Sequence, residues 1–293
     1  MDILIGRNSV LEALRAGRPI SRILLHRNAD SDPRLAQIVQ LADAKHVPHE
    51  IVSGAVLDSE SRRGVHQGVI AFASSLRSLT LDDLPTLSEK EGEPGLYVIL
   101  DGIEDPHNLG AILRTSEAAG VHAVIVRSRR AAGLSPAAVK AAAGAAEYVP
   151  LIEVTNIART IEVLKENGIW VVGVEGSAKQ SYLEVDYRPP TAVVIGGEGK
   201  GISSLVKQNC DLLAAIPMKG RITSLNASVA AGVILYEVVR QRSQSARSSA
   251  SAACTPEGLR VILWRLLCRA ADCCSRILAT ECNSGIRLRM DIL

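Results

Sequence analysis

The chain has 293 residues, enough for two ordinary domains with separate cores, and 47% hydrophobic with 22% charged residues is globular rather than disordered composition. Aromatics make up 3%, with Phe72 the one Phe, which argues against nucleic-acid binding by base stacking on an aromatic platform. Net charge is +2, and outside residues 243–293 basic and acidic residues nearly balance at 26 against 27, so RNA would have to be held by local patches. There is no run of about 18 apolar residues, and MDILIGRNSVLEALRAG reads as a short strand and helix rather than a signal peptide, so a cytoplasmic protein with no membrane partner is expected. Cys254, Cys268, Cys273, Cys274 and Cys282 lie near the C-terminal end and Cys210 alone lies in the body; no pair has C-x-x-C zinc spacing, so no metal site is expected.

Residues 1–74 read as a small α/β domain. NSVLEALRAG predicts a helix capped by Asn8 and stopped by Gly17, RILLH (22–26) a strand, and Asp32-Pro33 the cap and first turn of a second helix; GVIAFAS (68–74) is another strand. Residues 75–95 lose periodicity and collect Ser, Pro, Gly and charge, as a linker with at most a short helix does. From Leu96 strands are predicted at 96–100, 122–126, 147–154, 169–175, 191–197 and 212–217. Helices are predicted over 108–119, 136–143, 155–167, 202–209 and about 226–241. That alternation predicts a parallel sheet covered on both faces over residues 96–242. Residues 243–293 begin with the low-complexity SQSARSSASAAC, expected to be flexible, and form an atypical tail to which no catalytic role is given.

Three segments carry chemistry. LDGIEDPHNLGAILRTSEAAG (100–120) runs from a strand through a polar turn into a helix, with Arg114 in an otherwise apolar stretch; it is either a capped helix with a solvated Arg or an anion site. VVIGGEGKGIS (193–203) sets four glycines around Glu198 and Lys200, a cradle that permits close backbone approach to a ligand. It matches neither the dinucleotide fingerprint nor the P-loop. IPMKGRITSLNASVAAGVILYEVVRQR (216–242) places Ser224 and Asn226 before a long apolar helix, where both residues also suit simple capping. On that helix Val229, Val233, Tyr236 and Val239 or Arg240 share a face that is core or dimer interface.

In order and wording, Asn108 to Thr115, Gly196 to Ile202 and Ile216 to Ala230 resemble the three signature motifs of the SpoU-type (SPOUT superfamily) RNA ribose 2′-O-methyltransferases. GRNSVLEALRAG and GVHQGVIA resemble, more weakly, the L30e-like RNA-binding domain found ahead of that catalytic domain. The resemblance implies a parallel-sheet methyltransferase domain with a C-terminal trefoil knot, acting as a homodimer on RNA with S-adenosyl-L-methionine as methyl donor. It implies Asn108, Arg114, Glu198, Ser224 and Asn226 as polar site residues, and Gly196, Gly197, Ile216, Met218 and Leu225 as cofactor contacts. Arg7, Arg62, Arg63, His66, Arg127, Arg129 and Arg130 are the candidate RNA contacts. Within the family the layout looks most like the enzymes that methylate a guanosine of the 23S rRNA peptidyl-transferase P-loop; tRNA and thiopeptide-resistance rRNA methyltransferases are the alternatives. A nucleotide-binding oxidoreductase is disfavoured by the missing fingerprint, and a non-catalytic RNA-binding protein by the intact polar set. Because Arg stays protonated, Arg114 is expected to grip a phosphate and stabilise the forming alkoxide, with Asn108 orienting it and Glu198 holding the loop.

Overall fold

The computed structural model describes residues 1–27, 32–61, 64–76, 79–128, 138, 141–221 and 223–253. Residues Met1–Gln241 form one compact unit containing two sheets. The first sheet holds β1 (Asp2–Ile5), β2 (Ile20–His26), β3 (His49–Val52) and β4 (Val69–Ala73) in the order β1-β4-β2-β3. β4 is antiparallel to both β1 and β2, and β2 is parallel to β3. Helices α1 (Arg7–Arg15) and α2 (Pro33–Ala44) cover one face, where Val10, Leu14, Ile23, Leu25, Ile38 and Ala71 are buried together. α3 (Gly54–Glu60) covers the other through Leu57 against Leu24 and Ile70.

Asp32 caps α2 as expected, its side chain accepting from the amides of Arg34 and Leu35. α1 departs from expectation. Gly6, at φ 96°, occupies its N-cap, and Asn8 lies inside the helix, where its Oδ1 accepts from Arg34 Nη1 at 2.7 Å. The strand β3 and helix α3 were not predicted: both central residues of HEIV are exposed, and an edge strand with one wet face leaves little hydrophobic signal.

Within 75–95 a 3-10 turn at Leu81–Asp83 leads into α4 (Leu84–Glu91); Leu84 is buried, and its carbonyl accepts from the Tyr97 hydroxyl at 3.2 Å. The second sheet then contains β5 (Leu96–Asp101), β6 (Ala123–Arg127), β7 (Leu151–Val154), β8 (Trp170–Val174), β9 (Gln180–Ser181), β10 (Thr191–Gly196) and β11 (Leu212–Ala215). Its order is β7-β6-β5-β10-β8-β11-β9 and every pairing is parallel. β5 is buried along its whole length. Leu96, Val98 and Leu100 face α5 (Pro106–Ala118) and α8 (Ala227–Ala253), while Tyr97 and Ile99 face α4, α6 (Ile157–Glu166) and α7 (Ser204–Asn209). Both faces are dry, which is why these strands read as continuous apolar runs.

Three further boundaries differ from expectation. The strand predicted over 147–154 begins only at Leu151; residues Ala145–Glu147 form a 3-10 turn and Pro150, with no amide to donate, precedes the ladder. α5 starts at Pro106 with Asp105 as its cap, Oδ1 accepting from His107 N at 2.9 Å, rather than at Asn108. α8 continues to Ala253, through most of the tract expected to be flexible, because Ala, Arg and Gln are good helix formers whatever their complexity. Half of the helix predicted at 136–143, and the whole tail beyond Ala253, lie outside the described residues; Ala138, Ala141 and Ala142 are helical.

Candidate active site

The sheet order sets the central strand β10 between β5 and β8, with β11 beside β8. In open parallel sheets ligands bind beyond the carboxyl ends of the strands. The three chemically interesting segments leave there: the turn into α5 after β5, the glycine loop after β10, and residues 216–226 after β11.

Three side chains from these segments close a hydrogen-bonded triangle. Asn108 Nδ2 donates to Glu198 Oε1 at 2.7 Å, and Asn226 Nδ2 donates both to Glu198 Oε1 at 2.9 Å and to Asn108 Oδ1 at 3.0 Å. Asn226 is also the N-cap of α8: its Oδ1 accepts from the amides of Ser228 at 2.9 Å and Val229 at 3.4 Å, and from the Ser228 hydroxyl. The unpaired amides of the helix start thereby fix which end of the Asn226 amide faces Glu198. Asn108 is buried in the first turn of α5, while Glu198 is exposed and its Oε2 makes no hydrogen bond among the described residues.

The glycine loop is shaped by close approach. A Cβ on Gly196 would lie 2.2 Å from the Gly201 carbonyl carbon, and one on Gly197 2.2 Å from the Gly102 carbonyl oxygen. Gly197 N donates to Asp101 O at 2.9 Å and Gly201 N to Gly197 O at 3.0 Å, so the loop folds back on itself against the end of β5. Gly199 and Gly201 take φ of 79° and 62°, open to glycine at little cost.

The loop forms one wall of a cleft of about 710 Å³ whose lining includes Gly196, Gly197, Glu198, Ile216, Met218, Ser224 and Leu225. Met218 and Leu225 expose apolar side chains, and Ser224 is exposed. Sequence reasoning passed over Glu175, which follows β8 and lines the same cleft. Its carboxylate pairs with Lys207 Nζ at 2.6 Å and accepts from the Ser177 hydroxyl at 3.2 Å. Burial works to raise its pKa, but the bonds from Lys207 and Ser177 outweigh burial and hold it below the ordinary value. An acid directly after a strand of the parallel sheet was the available signal.

A second hollow of about 640 Å³ lies against the same loop, lined by Asp101, Glu104, Asp105, Asn108, Arg127 and Glu198 among others. Glu198 and Gly197 belong to both. Buried Asp101 accepts from Ser203 N at 2.8 Å and from Arg127 Nη2 at 3.2 Å.

Arg114 stands apart from the triangle. It lies six residues beyond Asn108 on α5, about 9 Å along the axis at 1.5 Å per residue, is exposed, and makes no hydrogen bond or ion pair among the described residues. Its neighbour Thr115 packs 3.7 Å from where a Cβ on Gly232 of α8 would be. In the first sheet's domain, Arg7 is tied to Asp32 and, through Nε, to Gln67 O at 2.9 Å, and His66 pairs with Asp58 at 3.2 Å. Arg62, Arg63, Arg129 and Arg130 lie outside the described residues. Among the described residues no cluster of His, Cys, Asp and Glu is arranged to hold a metal, and no helix is long and apolar enough to cross a membrane.

Comparison with known proteins matches residues 95–236 to the SpoU rRNA Methylase family and residues 3–79 to RNA 2′-O ribose methyltransferase substrate binding. The chain is 44% identical over 241 residues to the putative TrmH family tRNA/rRNA methyltransferase YacO of Bacillus subtilis, covering 82% of this chain and 96% of that protein. It is 46% identical over 212 residues to the 23S rRNA (guanosine-2′-O-)-methyltransferase RlmB of Escherichia coli, covering 72% and 87%. Among solved structures, the SpoU methyltransferase AviRb of Streptomyces viridochromogenes in complex with AdoMet aligns with a TM-score of 0.69 at 26% identity, over 83% of this chain and 90% of that one. The AdoMet-bound rRNA methyltransferase of Sinorhizobium meliloti aligns at 0.66 and 27%, over 81% and 86%.

Proposed function

The chain belongs to the SpoU rRNA methylase family of RNA 2′-O-methyltransferases, and on that footing we propose that it methylates the ribose of a guanosine in the 23S rRNA peptidyl-transferase P-loop, using S-adenosylmethionine. The observation that carries the reading is the Asn108–Glu198–Asn226 triangle, which ties all three signature segments together at the edge of one cleft. The rRNA target is supported by 46–48% identity to enzymes named for that guanosine chemistry.

The cleft residues fit the methyl donor. Gly196 and Gly197 leave backbone where a side chain would stand, and Met218, Leu225 and Ile216 offer apolar surface to the purine of the donor. When bound there, S-adenosylmethionine supplies an electrophilic methyl to a ribose hydroxyl. The protein's own work is alignment: holding the nucleoside oxygen on line with that methyl removes several kcal/mol of barrier. Glu198 lines both hollows, and we assign its free Oε2 to accept a hydrogen bond from the 2′-hydroxyl, with Asn108 and Asn226 fixing the carboxylate. Ser224 completes the polar rim. Arg114, charged and unpaired, is assigned to a substrate phosphate, and Arg7, His66 and Arg127 to the RNA surface, beside Arg62, Arg63, Arg129 and Arg130.

Residues 1–74 are read as the RNA-holding domain and 96–242 as the methyltransferase domain, with a knotted C-terminal part. A homodimer is the assembly we infer. Val229 and Tyr236 of α8 are 50% and 55% exposed, lie one heptad apart, and flank half-buried Val233, an apolar stripe that a second copy would cover.

Labelled S-adenosylmethionine, offered with 23S rRNA fragments or tRNA and followed by mapping of the labelled ribose, tests the reading. Label on the P-loop guanosine is expected. Label confined to tRNA would overturn the target, and no transfer to either RNA would overturn the assignment of donor and substrate together.

A further inference from the structure

The first sheet's domain meets the methyltransferase core through a small, specific contact. Arg18, just after α1, is 6% exposed at its side chain. Its Nε donates to Ser74 O at 2.9 Å, Nη1 to Glu147 Oε1 at 2.7 Å, and Nη2 to Asp2. One guanidinium thus ties the start of β1, the end of β4 and a residue of the core. The Glu147 side chain is 5% exposed, and its Oε2 is buried with no hydrogen-bond partner. Beside it the Tyr148 hydroxyl donates to Glu12 Oε2 at 2.8 Å. Gly144, at φ 98°, lies so close to α1 that a Cβ there would fall 2.5 Å from Glu12 Cγ.

The same stretch of core supports the catalytic helix. A Cβ on Gly110 of α5, two residues after Asn108, would fall 2.3 Å from Ala141 Cβ, 2.7 Å from the Ala138 carbonyl oxygen and 2.8 Å from Ala142 N, so α5 rests backbone-close on Ala138, Ala141 and Ala142. Two to five residues further along the chain come Gly144, Glu147 and the contact with the first domain. A short, tightly packed path therefore joins Arg18 to the helix that carries Asn108 and Arg114.

A buried ion pair is a weak device for stability, since desolvation consumes most of its attraction, and the unpaired Glu147 oxygen adds to that cost. Burial pushes the Glu147 carboxyl above its ordinary value, against the pull of Arg18. What such a pair does supply is geometry, because the guanidinium fork accepts few arrangements.

We propose that the Arg18–Glu147 pair is a positioning device for methyl transfer, clamping the RNA-holding domain onto the segment that supports α5 so that the target ribose is delivered to the Asn108 end of the site. This rests on the reading of residues 1–74 as the RNA-holding half. Arg18→Met, Arg18→Lys and Glu147→Gln would be assayed on a long 23S rRNA fragment, alongside S-adenosylmethionine affinity by calorimetry and radius of gyration by solution scattering. Arg18→Met is expected to raise KM for the RNA about tenfold with kcat within about twofold, to leave cofactor affinity unchanged and to increase the radius of gyration. Arg18→Lys and Glu147→Gln, which keep part of the contact, should fall between Arg18→Met and wild type. If Arg18→Met fails to fold, those two milder variants decide on the same readouts. An unchanged KM, or a loss shared equally by cofactor affinity, overturns the clamp. An inactive wild-type protein would instead count against the proposed function.

Discussion

Asn108 Nδ2 donates to Glu198 Oε1 at 2.7 Å, joining the first turn of α5 to a loop 90 positions later, and the same oxygen accepts from Asn226 Nδ2 at 2.9 Å. Two neutral amides converging on one carboxylate oxygen make charge-assisted hydrogen bonds and leave the second oxygen available to substrate. Glu198→Gln keeps the shape but removes the charge, and with its oxygen left facing the two amides its Nε2 donor replaces the free oxygen assigned to the 2′-hydroxyl. Hydrogen bonds to charged groups are worth about 1.5–3 kcal/mol, so kcat should fall about 10- to 100-fold. Steady-state methyl transfer would measure it, and wild-type turnover in this variant would remove Glu198 from the mechanism.

Asn226 does two jobs that substitution can separate. Its Oδ1 caps α8 and its Nδ2 serves the triangle. Asn226→Ser retains a capping oxygen and loses the donor, so thermal stability should stay close to wild type while activity drops. Asn226→Ala loses both and should cost about 1 kcal/mol more in stability. Denaturant unfolding together with transfer assays checks the pair; equal stability losses in the two variants would mean that the cap contributes nothing.

The large parallel sheet was legible in the sequence because both of its faces are dry: LYVIL and TAVVI advertise themselves. The rest was hidden for identifiable reasons. Asp105-Pro106 repeats the cap-and-proline signal that located α2 at Asp32-Pro33, yet the start of α5 was read at Asn108, the residue that the true cap frees for the site. β3 and α3 carry too few buried residues to show a period. The three motifs named every member of the triangle, Asn108, Glu198 and Asn226. No periodicity could show that they touch, nor that Arg114 lies away from them, because contacts between residues 90 and 118 apart are fixed by strand order.

The glycine loop predicts a graded response. A methyl on Gly196 or Gly197 would meet backbone atoms at 2.2 Å, which nothing flexible can relieve, whereas one on Gly199 meets open space and pays only for its φ of 79°. Gly196→Ala and Gly197→Ala should therefore displace the loop and lower S-adenosylmethionine affinity at least about tenfold, which is about 1.4 kcal/mol. Gly199→Ala should cost about 1 kcal/mol of stability, with affinity near wild type. Calorimetric titration of the three variants distinguishes them; equal affinities would refute the cradle.

The phosphate role proposed for Arg114 depends on its planar fork, which a lysine ammonium cannot reproduce. Arg114→Lys keeps the charge and should still lose most of the activity lost by Arg114→Ala, with S-adenosylmethionine affinity preserved in both because Arg114 is not among the residues lining the cleft. Near-normal turnover in Arg114→Lys would falsify bidentate recognition and leave a role for charge alone.

Cys210 closes α7 and sits against the sheet: its Sγ donates to Val206 O at 3.2 Å and lies 3.1 Å from where a Cβ on Gly173 of β8 would be. Burial first, then the charge of Asp211, pushes the thiol from an ordinary 9.0 up to about 11, with Lys165 opposing. Alkylating reagents attack the thiolate, so at pH 8 the reactive fraction in the folded protein is about 100-fold below that of the unfolded chain. The sign for stability follows from the same shift. The folded state holds this proton more tightly, so the contribution is complete below pH 9 or so and is lost as pH rises through about 11. Iodoacetamide treatment at pH 8 with peptide mapping should leave Cys210 unmodified in the native protein and modified after denaturation. Rapid native labelling of Cys210 would show that the contact between α7 and the sheet opens readily.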